Sequence, residues 1–299
     1  MAATRRKLAL ALVAVLRSGG FKQSPLALAA GFAADIAHLR AAAAWAVGPD
    51  GDREVAIELA AETTLVWFAV GANDEGAGLF RTVEPWVDET TPAALAARFW
   101  LGATGLYSAA TRMVGEEAMK AADTFRELGD RESLFKALFG GALQFNRAGK
   151  PEAAAAALAE AETLLDPAWP RWTRVIYEFA VGSLHYWSGD PARARVRLAA
   201  IQTMNSGEEG EPIQREQIEL MLLGCDVALG RPFDVVRFGR EVLERERPRV
   251  TGFNRAVAQC FIVAALAKIG EVTKAEGSAL SEDEAVALGL PERGTMAAA

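Results

Sequence analysis

One short phrase, a glycine followed by a charged residue and a proline, occurs three times at intervals of 40 and 41 residues. The copies are Gly149-Lys150-Pro151, Gly189-Asp190-Pro191 and Gly230-Arg231-Pro232. A glycine just beyond a helix lets that helix end in the left-handed conformation, and a proline at the first helical position starts the next helix. A helix–helix turn that recurs at this period is typical of an α-solenoid.

Three more glycines extend the series in both directions. Gly270 follows Gly230 by 40 residues, while Gly115 and Gly71 extend the series toward the N-terminus at spacings of 34 and 44 residues. All six glycines are therefore expected to lie at turns between antiparallel helices. Alanine is abundant and strand-like runs of valine, isoleucine and threonine are missing, which favours helices. The sequence predicts an all-α fold, an α-α superhelix of about six helical hairpins.

Each predicted hairpin has a first helix and a second helix, and glycine, proline or aspartate marks the ends. The predicted pairs are 52–70 with 73–87, 93–113 with 116–128, 131–148 with 151–165, 171–188 with 191–204, 213–229 with 232–247, and a last pair that starts near 252 and turns at 270. The solenoid is expected to span residues 32–290. Residues 1–31 are predicted to form an N-terminal helix or capping segment, and residues 291–299 a disordered tail.

Small and large residues recur at fixed distances from the turn glycines, and we expect them to form contacts between helices. Counted from each turn glycine, an alanine lies five residues later and a leucine nine residues later. A second glycine lies seven or eight residues before the turn glycine. These residues are Ala154, Ala194, Leu158, Leu198, Gly141 and Gly182. Aromatic residues collect in the first helices, among them Tyr186 and Trp187, and are interpreted as core of the solenoid.

The acidic balance of the chain, with a net charge of −7 and an isoelectric point near 5.2, disfavours nonspecific binding to nucleic acid or anionic lipid. The sequence has no run of about 20 uncharged apolar residues, so we expect no membrane-spanning helix. Cys225 and Cys260 lie within apolar runs. We interpret them as buried free thiols in a reducing compartment, the cytoplasm.

The N-terminal segment has two interpretations. Arg5-Arg6-Lys7 is followed by nine apolar residues, Leu8 to Leu16, which is similar to the start of an export signal. Arg17 follows at once and no small-residue cleavage site lies close behind, which favours a first amphipathic helix with a basic start. The alternative is an exported solenoid whose leader is removed.

No known catalytic or metal-binding motif is present in the sequence. The two histidines, His38 and His185, lie far apart, and neither a phosphate-binding glycine loop, a nucleophile elbow nor a zinc-ligand spacing occurs. We therefore predict a nonenzymatic protein with no cofactor and no metal. An enzyme or enzyme accessory with a small-molecule pocket in a helical array is the alternative.

Arginines form two groups. The first, interpreted as less neutralised and able to bind an anionic ligand, is Arg171, Arg174, Arg193, Arg195 and Arg197. The second, interleaved with glutamates and interpreted as ion-paired surface, is Arg231, Arg237, Arg240, Arg245, Arg247 and Arg249.

The repeat resembles the tetratricopeptide repeat, which also has a small residue in its first helix, a tight turn, an early alanine in its second helix and an Asp-Pro end, here Asp166-Pro167. The segment with His38-Leu39-Arg40, Ala44-Trp45-Ala46, the Gly48 to Asp52 turn and Trp67-Phe68 is similar to the repeat region of bacterial STAND-type regulators. The resemblance covers about 32–247. It implies a sensor or scaffold arm, without the DNA-binding and NTPase domains that precede this arm in that family.

The tetratricopeptide resemblance also implies the binding face, at positions about three, six and ten residues before each turn glycine. The polar or aromatic residues at or near these positions are Lys136, Asn146, Arg147, His185, Tyr186 and Gln217. The expected partner is a protein or peptide, or a small effector, and not nucleic acid or a membrane. The expected role is in bacterial signal transduction or transcriptional regulation.

Overall fold

The computed structural model describes residues 2–18, 31–106, 114–205, 212–244 and 252–275, and their regular secondary structure is entirely helical. The α-helices are α1 (Ala2–Ser18), α2 (Ile36–Ala46), α3 (Arg53–Ala69), α4 (Asn73–Val83), α5 (Ala93–Leu106), α6 (Gly115–Glu127), α7 (Arg131–Arg147), α8 (Pro151–Leu164), α9 (Arg171–Trp187), α10 (Pro191–Met204), α11 (Pro212–Ala228), α12 (Pro232–Glu244) and α13 (Gly252–Ala275). Short 3-10 turns precede α2 and follow α4, at Ala33–Asp35 and Glu84–Trp86.

The all-α prediction is confirmed, and five of the predicted pairs correspond to α3 through α12. Several predicted helix ends and loops fall in 107–113, 206–211 and 245–251, outside the described residues. The predicted tail at 291–299 lies outside them as well.

Four of the predicted turn glycines, Gly71, Gly149, Gly189 and Gly230, have a positive φ between 67° and 82°. At the end of α7 the N–H of Gly149 donates to the carbonyl of Asn146 at 3.2 Å, and the N–H of Lys150 donates to the carbonyl of Phe145 at 2.9 Å. These bonds satisfy carbonyls that the helix itself leaves unpaired, and the left-handed conformation they need favours glycine. The next helix then starts with its proline.

The other two of the six predicted turn glycines, Gly270 and Gly115, have no positive φ. Gly270 lies inside α13, which continues to Ala275, so the turn predicted there is wrong. Neither a proline nor a capping side chain follows Gly270, and a glycine inside a helix costs only about 1 kcal/mol. Gly115 is the first residue of α6 and has no positive φ. The turn at the other end of α6 has its own left-handed glycine, Gly129, with a φ of 69°.

The odd-numbered helices form a series in which each contacts the next, from α1 with α3 to α11 with α13, and we call this series the first-helix row. Each even-numbered helix packs on the first helix before it and on the first helix after it. Helices α1 and α2 join α3 in this same arrangement, so the described array includes a pair that the predicted hairpins do not contain.

The residues that recur around the turns form helix contacts, as expected. Ala154, Ala194, Leu158 and Leu198 are at most 3% exposed. A Cβ on Gly182 would lie 3.0 Å from the side chain of Leu198, and a Cβ on Gly141 would lie 3.3 Å from that of Ala118. Both glycines therefore permit close crossing of neighbouring helices. Trp187 departs from the predicted aromatic core because it is 53% exposed.

Ion pairs link successive second helices on their exposed sides. Arg40 of α2 bonds to Glu75 of α4 at 2.6 Å, and Arg126 of α6 pairs with Glu160 of α8 at 2.8 Å. Lys150, just before α8, pairs with Glu116 of α6 at 2.8 Å. Because the partners lie 34 or 35 residues apart, each pair joins one repeat to the next. Exposed pairs contribute little individually, so the array depends mainly on its apolar contacts.

Replacement of Gly189 by valine should destabilise the array, because a β-branched residue at a φ of 82° is strained by about 1–2 kcal/mol or more. Gly270→Ala is the matched control with the opposite expected sign. Gly270 lies inside a helix with no heavy atom within 4 Å of its Cβ position, so alanine should stabilise by roughly 0.5–1 kcal/mol. Thermal melting measures both, and an unchanged melting temperature for Gly189→Val would contradict the turn assignment.

Acid should weaken the fold through carboxylates that are bonded in the folded chain. Arg40 and Lys150 lower the pKa of Glu75 and Glu116, and bonds from Thr90 and Arg53 lower the pKa of Asp88 to about 2. A group with a lowered folded pKa stabilises the fold above its unfolded pKa and loses that contribution as the pH falls. We expect the melting temperature to fall between about pH 4.5 and pH 2, and less steeply in about 1 M salt. A melting temperature that rises over this range would contradict the expectation.

Candidate functional site

Helix α7, inside the first-helix row, contacts α5 and α9 in that row and the second helices α6 and α8. Toward α5, Gln144 Nε2 donates to the carbonyl of Thr104 at 2.8 Å. Toward α6, a Cβ on Gly141 would meet the side chain of Ala118. These contacts define which directions around α7 are taken.

Another side of α7 carries Lys136, Leu143 and Arg147, which we call the Lys136 face of α7. Leu143 is partly buried and packs against the core, Lys136 is partly buried, and Arg147 is exposed. Leu143 lies about 200° around the helix from Gly141, so it points away from α6. Lys136 and Arg147 share this side with Leu143, because residues at positions i, i+7 and i+11 of a helix lie on one face. Of the sequence-predicted binding residues, Lys136 and Arg147 therefore lie on the same side of α7, about 16 Å apart along its axis.

The two cations of the Lys136 face differ in their surroundings. Lys136 is half-buried, and burial lowers its pKa, while the carboxylates of Glu132, Asp130 and Glu62 oppose the shift. Arg147 is exposed as a residue, yet the protein around its guanidinium lowers its pKa, and no carboxylate opposes that shift. Arg147 is thus the more available of the two for an anionic group.

Charged side chains continue along the first-helix row toward α1. Arg17 of α1 pairs with Glu58 and Glu62 of α3 at 3.1 and 2.8 Å. Arg98 of α5 lies 3.3 Å from the same Glu62 carboxylate. The side chains of Glu58 and Glu62 are only 14% and 18% exposed, so this network is largely shielded from water.

Asn146 and His185 are predicted binding residues that lie beneath the surface. Asn146 is 3% exposed, and neither atom of its amide has a hydrogen-bond partner in the described part of the chain. His185 is half-buried, with an unpartnered Nε2 among the described residues. Burial, with Arg193 and Arg197 nearby, lowers the pKa of His185 and favours the neutral imidazole.

Tyr186 and Gln217 lie further along the row. Tyr186 is half-buried at the contact between α9 and α11, with its hydroxyl 3.1 Å from the Cβ position of Gly224. Burial raises the pKa of Tyr186. Gln217 is partly exposed in α11 and is the sixth residue of its helix, as Lys136 is of α7. The structure thus gives Tyr186 a packing contact rather than a place beside Arg147.

The first arginine group is more neutralised than the sequence analysis expected. Arg195 bonds to Asp226 at 2.5 Å, and Arg197 bonds to Glu178 at 2.5 Å, while Arg174 lies 3.4 Å from the same Glu178. Asp226 and Glu178 lie on the helices next to Arg195 and Arg197, and Glu178 lies one helical turn from Arg174. The arginines were grouped without these acids because the acids are distant in sequence or were not counted with them. The interpretation of this group as an anion site is therefore wrong for three of its five members.

Two described members of the second arginine group are ion-paired, and their partners are aspartates. Arg231 lies 3.6 Å from Asp226, and Arg237 pairs with Asp234 at 3.0 Å. Arg245, Arg247 and Arg249 lie outside the described residues.

Sequence reasoning missed two features of the first-helix row. The Glu62 network is invisible in sequence because Arg17, Glu62 and Arg98 lie on three different helices. Trp187 is assigned to the core by its residue type, yet the structure exposes it. Trp187 and Arg147 are the last residues of two equivalent first helices. This equivalence with a charged residue is the sequence signal that could have identified Trp187 as exposed.

Within the described residues, no group of three or more histidine, cysteine, aspartate or glutamate side chains could hold a metal ion. No described helix has the length and apolarity required to cross a membrane. A shallow depression of about 390 Å³ lies near the turn before α7, lined by Asp130, Arg131, Glu132, Trp169 and others. Its openness to solvent and its mostly charged lining suit no particular small molecule.

Comparison with known proteins adds no relative. No family model, curated protein or solved structure matches the chain.

Replacement of Glu62 by glutamine should destabilise the first-helix row, because Arg17 and Arg98 would then lie close together without the carboxylate between them. We expect the free energy of unfolding to fall by about 1.5–3 kcal/mol, the usual range for a hydrogen bond to a charged group. Asp123→Asn is the control, since it removes an exposed carboxylate paired with Arg126 within one helix and should have little effect. Equal effects in denaturant titrations would contradict a shielded network at Glu62.

Proposed function

We propose that the chain is a nonenzymatic helical-repeat scaffold or sensor that binds a protein, peptide or small effector on the first-helix row. The observation that carries this proposal is the continuity of that row, in which each described first helix contacts the next from α1 to α13. Stacked repeats present one repeated face as an extended surface, and such surfaces recognise extended partners.

The distribution of exposed apolar side chains supports this choice of surface. Among the described residues, more large exposed apolar side chains lie on first helices than on second helices. Those on first helices are Leu8, Val15, Leu65, Trp187 and Val263, and those on second helices or at their ends are Leu128, Val196 and Phe233. Apolar and charged side chains on one row suit a protein or peptide partner better than a purely ionic ligand.

The proposed setting is bacterial signal transduction or transcriptional regulation in the cytoplasm. It rests on the resemblance of 32–247 to the sensor arm of STAND-type regulators. The net charge of −7 and the pairing of many arginines with acids support a role without direct nucleic-acid binding, because such binding requires a basic surface that releases counterions.

The proposal predicts where a partner contacts the chain. A photo-crosslinking residue at Leu65 or Trp187, both exposed on first helices, should capture a discrete partner in the native lysate. The matched control is Val196, an even more exposed apolar residue on the second helix α10. Capture at Val196 but not at the other two sites would move the binding surface to the second helices.

The purified chain is also expected not to hydrolyse ATP or GTP, since the sequence contains no phosphate-binding loop with its lysine. Phosphate release measured with the wild-type chain checks this. Turnover that increases in proportion to the protein concentration and survives repeated purification would contradict the nonenzymatic proposal.

A further inference from the structure

The two end helices of the described first-helix row, α1 and α13, have neighbours in one direction only. Helix α9, inside the row, contacts α7 and α8 before it and α10 and α11 after it. Helix α1 packs on α2 and α3, which follow it, and α13 packs on α11 and α12, which precede it. In a stacked array, the outer sides of the end repeats determine whether the array associates further.

The outer side of α1 is an apolar stripe with basic residues at one end. Leu8 and Val15 are 43% and 51% exposed, and Ala11 between them is exposed as well. These three residues lie on one face because their spacing is i, i+3 and i+7. Arg5 and Lys7 are exposed in the turn before Leu8. Helix α1 has four cationic side chains and no acidic one.

The outer side of α13 is an apolar stripe too. Val263 is 66% exposed, and Cys260, Ala264 and Ala267 around it are exposed. Their positions, i, i+3, i+4 and i+7 counted from Cys260, form the kind of face that packs on another helix. Because the residues around Val263 are small, a second helix has room to approach closely.

The charges at the two ends of the chain are opposite in sign. The sequence from 276 to 290, directly after α13, has four acidic residues and no cation, whereas α1 has four cations and no acid. The acidic residues are Glu276, Glu282, Asp283 and Glu284. This segment lies outside the described residues, and its charge is a property of the sequence. Opposite charges steer the two ends toward each other and act against contact between two identical ends.

We propose that the α1 end of one copy of the chain binds the α13 end of a second copy, so that the first-helix row continues from one chain into the next. Leu8 and Val15 of one copy pack on Val263 and its small neighbours, and the cations of α1 attract the acidic residues after α13. Because the two surfaces differ, each copy can bind one neighbour at each end, and association continues unless a ring closes. One pair of helices buries little surface, so the contact is weak and reversible.

Light scattering by the full chain over a range of protein concentrations tests this inference. The average mass should rise from that of one chain, 31.9 kDa, to that of two chains or more. Val15→Asp and Val263→Asp each place a charge on one stripe, and each variant alone should keep the mass of one chain. An equal mixture of the two should form pairs and stop there, because one variant supplies an intact α13 end and the other an intact α1 end. Val196→Asp is the matched control and should associate like the wild type, since Val196 is 74% exposed on α10 inside the array.

Charge reversal tests the electrostatic part of the contact separately. Arg5→Glu with Lys7→Glu should weaken association roughly tenfold, because two favourable exposed pairs become repulsive. Glu282→Lys with Asp283→Lys should have a similar effect. All four substitutions in one chain make the two ends opposite in charge again, and association should return to nearly the wild-type level.

Three results would overturn the inference. The first is a wild-type chain that keeps the mass of one copy at every concentration. The second is association that Val15→Asp abolishes and Val263→Asp leaves intact, because α1 would then pair with α1. The third is a mixture of these two variants that forms no pairs while both melt at the wild-type temperature. The crosslinking sites Leu65 and Trp187 lie on α3 and α9, away from both ends, so the outcome at the ends does not decide the proposed function.

Discussion

The left-handed glycine at the end of a helix is the constraint on which the array depends. At Gly149 two backbone hydrogen bonds close α7 within two residues, and Pro151 starts α8 at once. A connection this short forces the two helices to run antiparallel and side by side. Each second helix then has one flank on its own first helix and the other on the next, and the contacts follow this pattern from α1 to α13. Repetition of one local turn thus produces the long-range order.

Small residues determine how closely the first helices approach one another. A Cβ on Gly102 of α5 would lie 2.6 Å from the carbonyl of Ala61 in α3, and a Cβ on Gly105 would lie 2.8 Å from Thr64. Contacts of this kind bring helix backbones together, so the row is continuous.

Electrostatics differ between the two rows of helices. On the second helices, several exposed cations pair with carboxylates one repeat away, so the charges of each pair compensate one another. On the first helices, the shielded carboxylate of Glu62 serves both Arg17 and Arg98, and Arg147 has no acid among the described residues.

The sequence by itself determined the turns that have a complete local code. Gly149, Gly189 and Gly230 are followed by proline, and their helix ends were predicted within a few residues because every interaction involved is local. Gly270 lacks that code, so spacing alone gave a wrong turn. For the site, residue type and the resemblance predicted Lys136 and Arg147, and their binding role stays a prediction. Only the tertiary structure decided that Asn146 is buried without a partner and that Trp187 is exposed, because burial depends on helices that are distant in sequence.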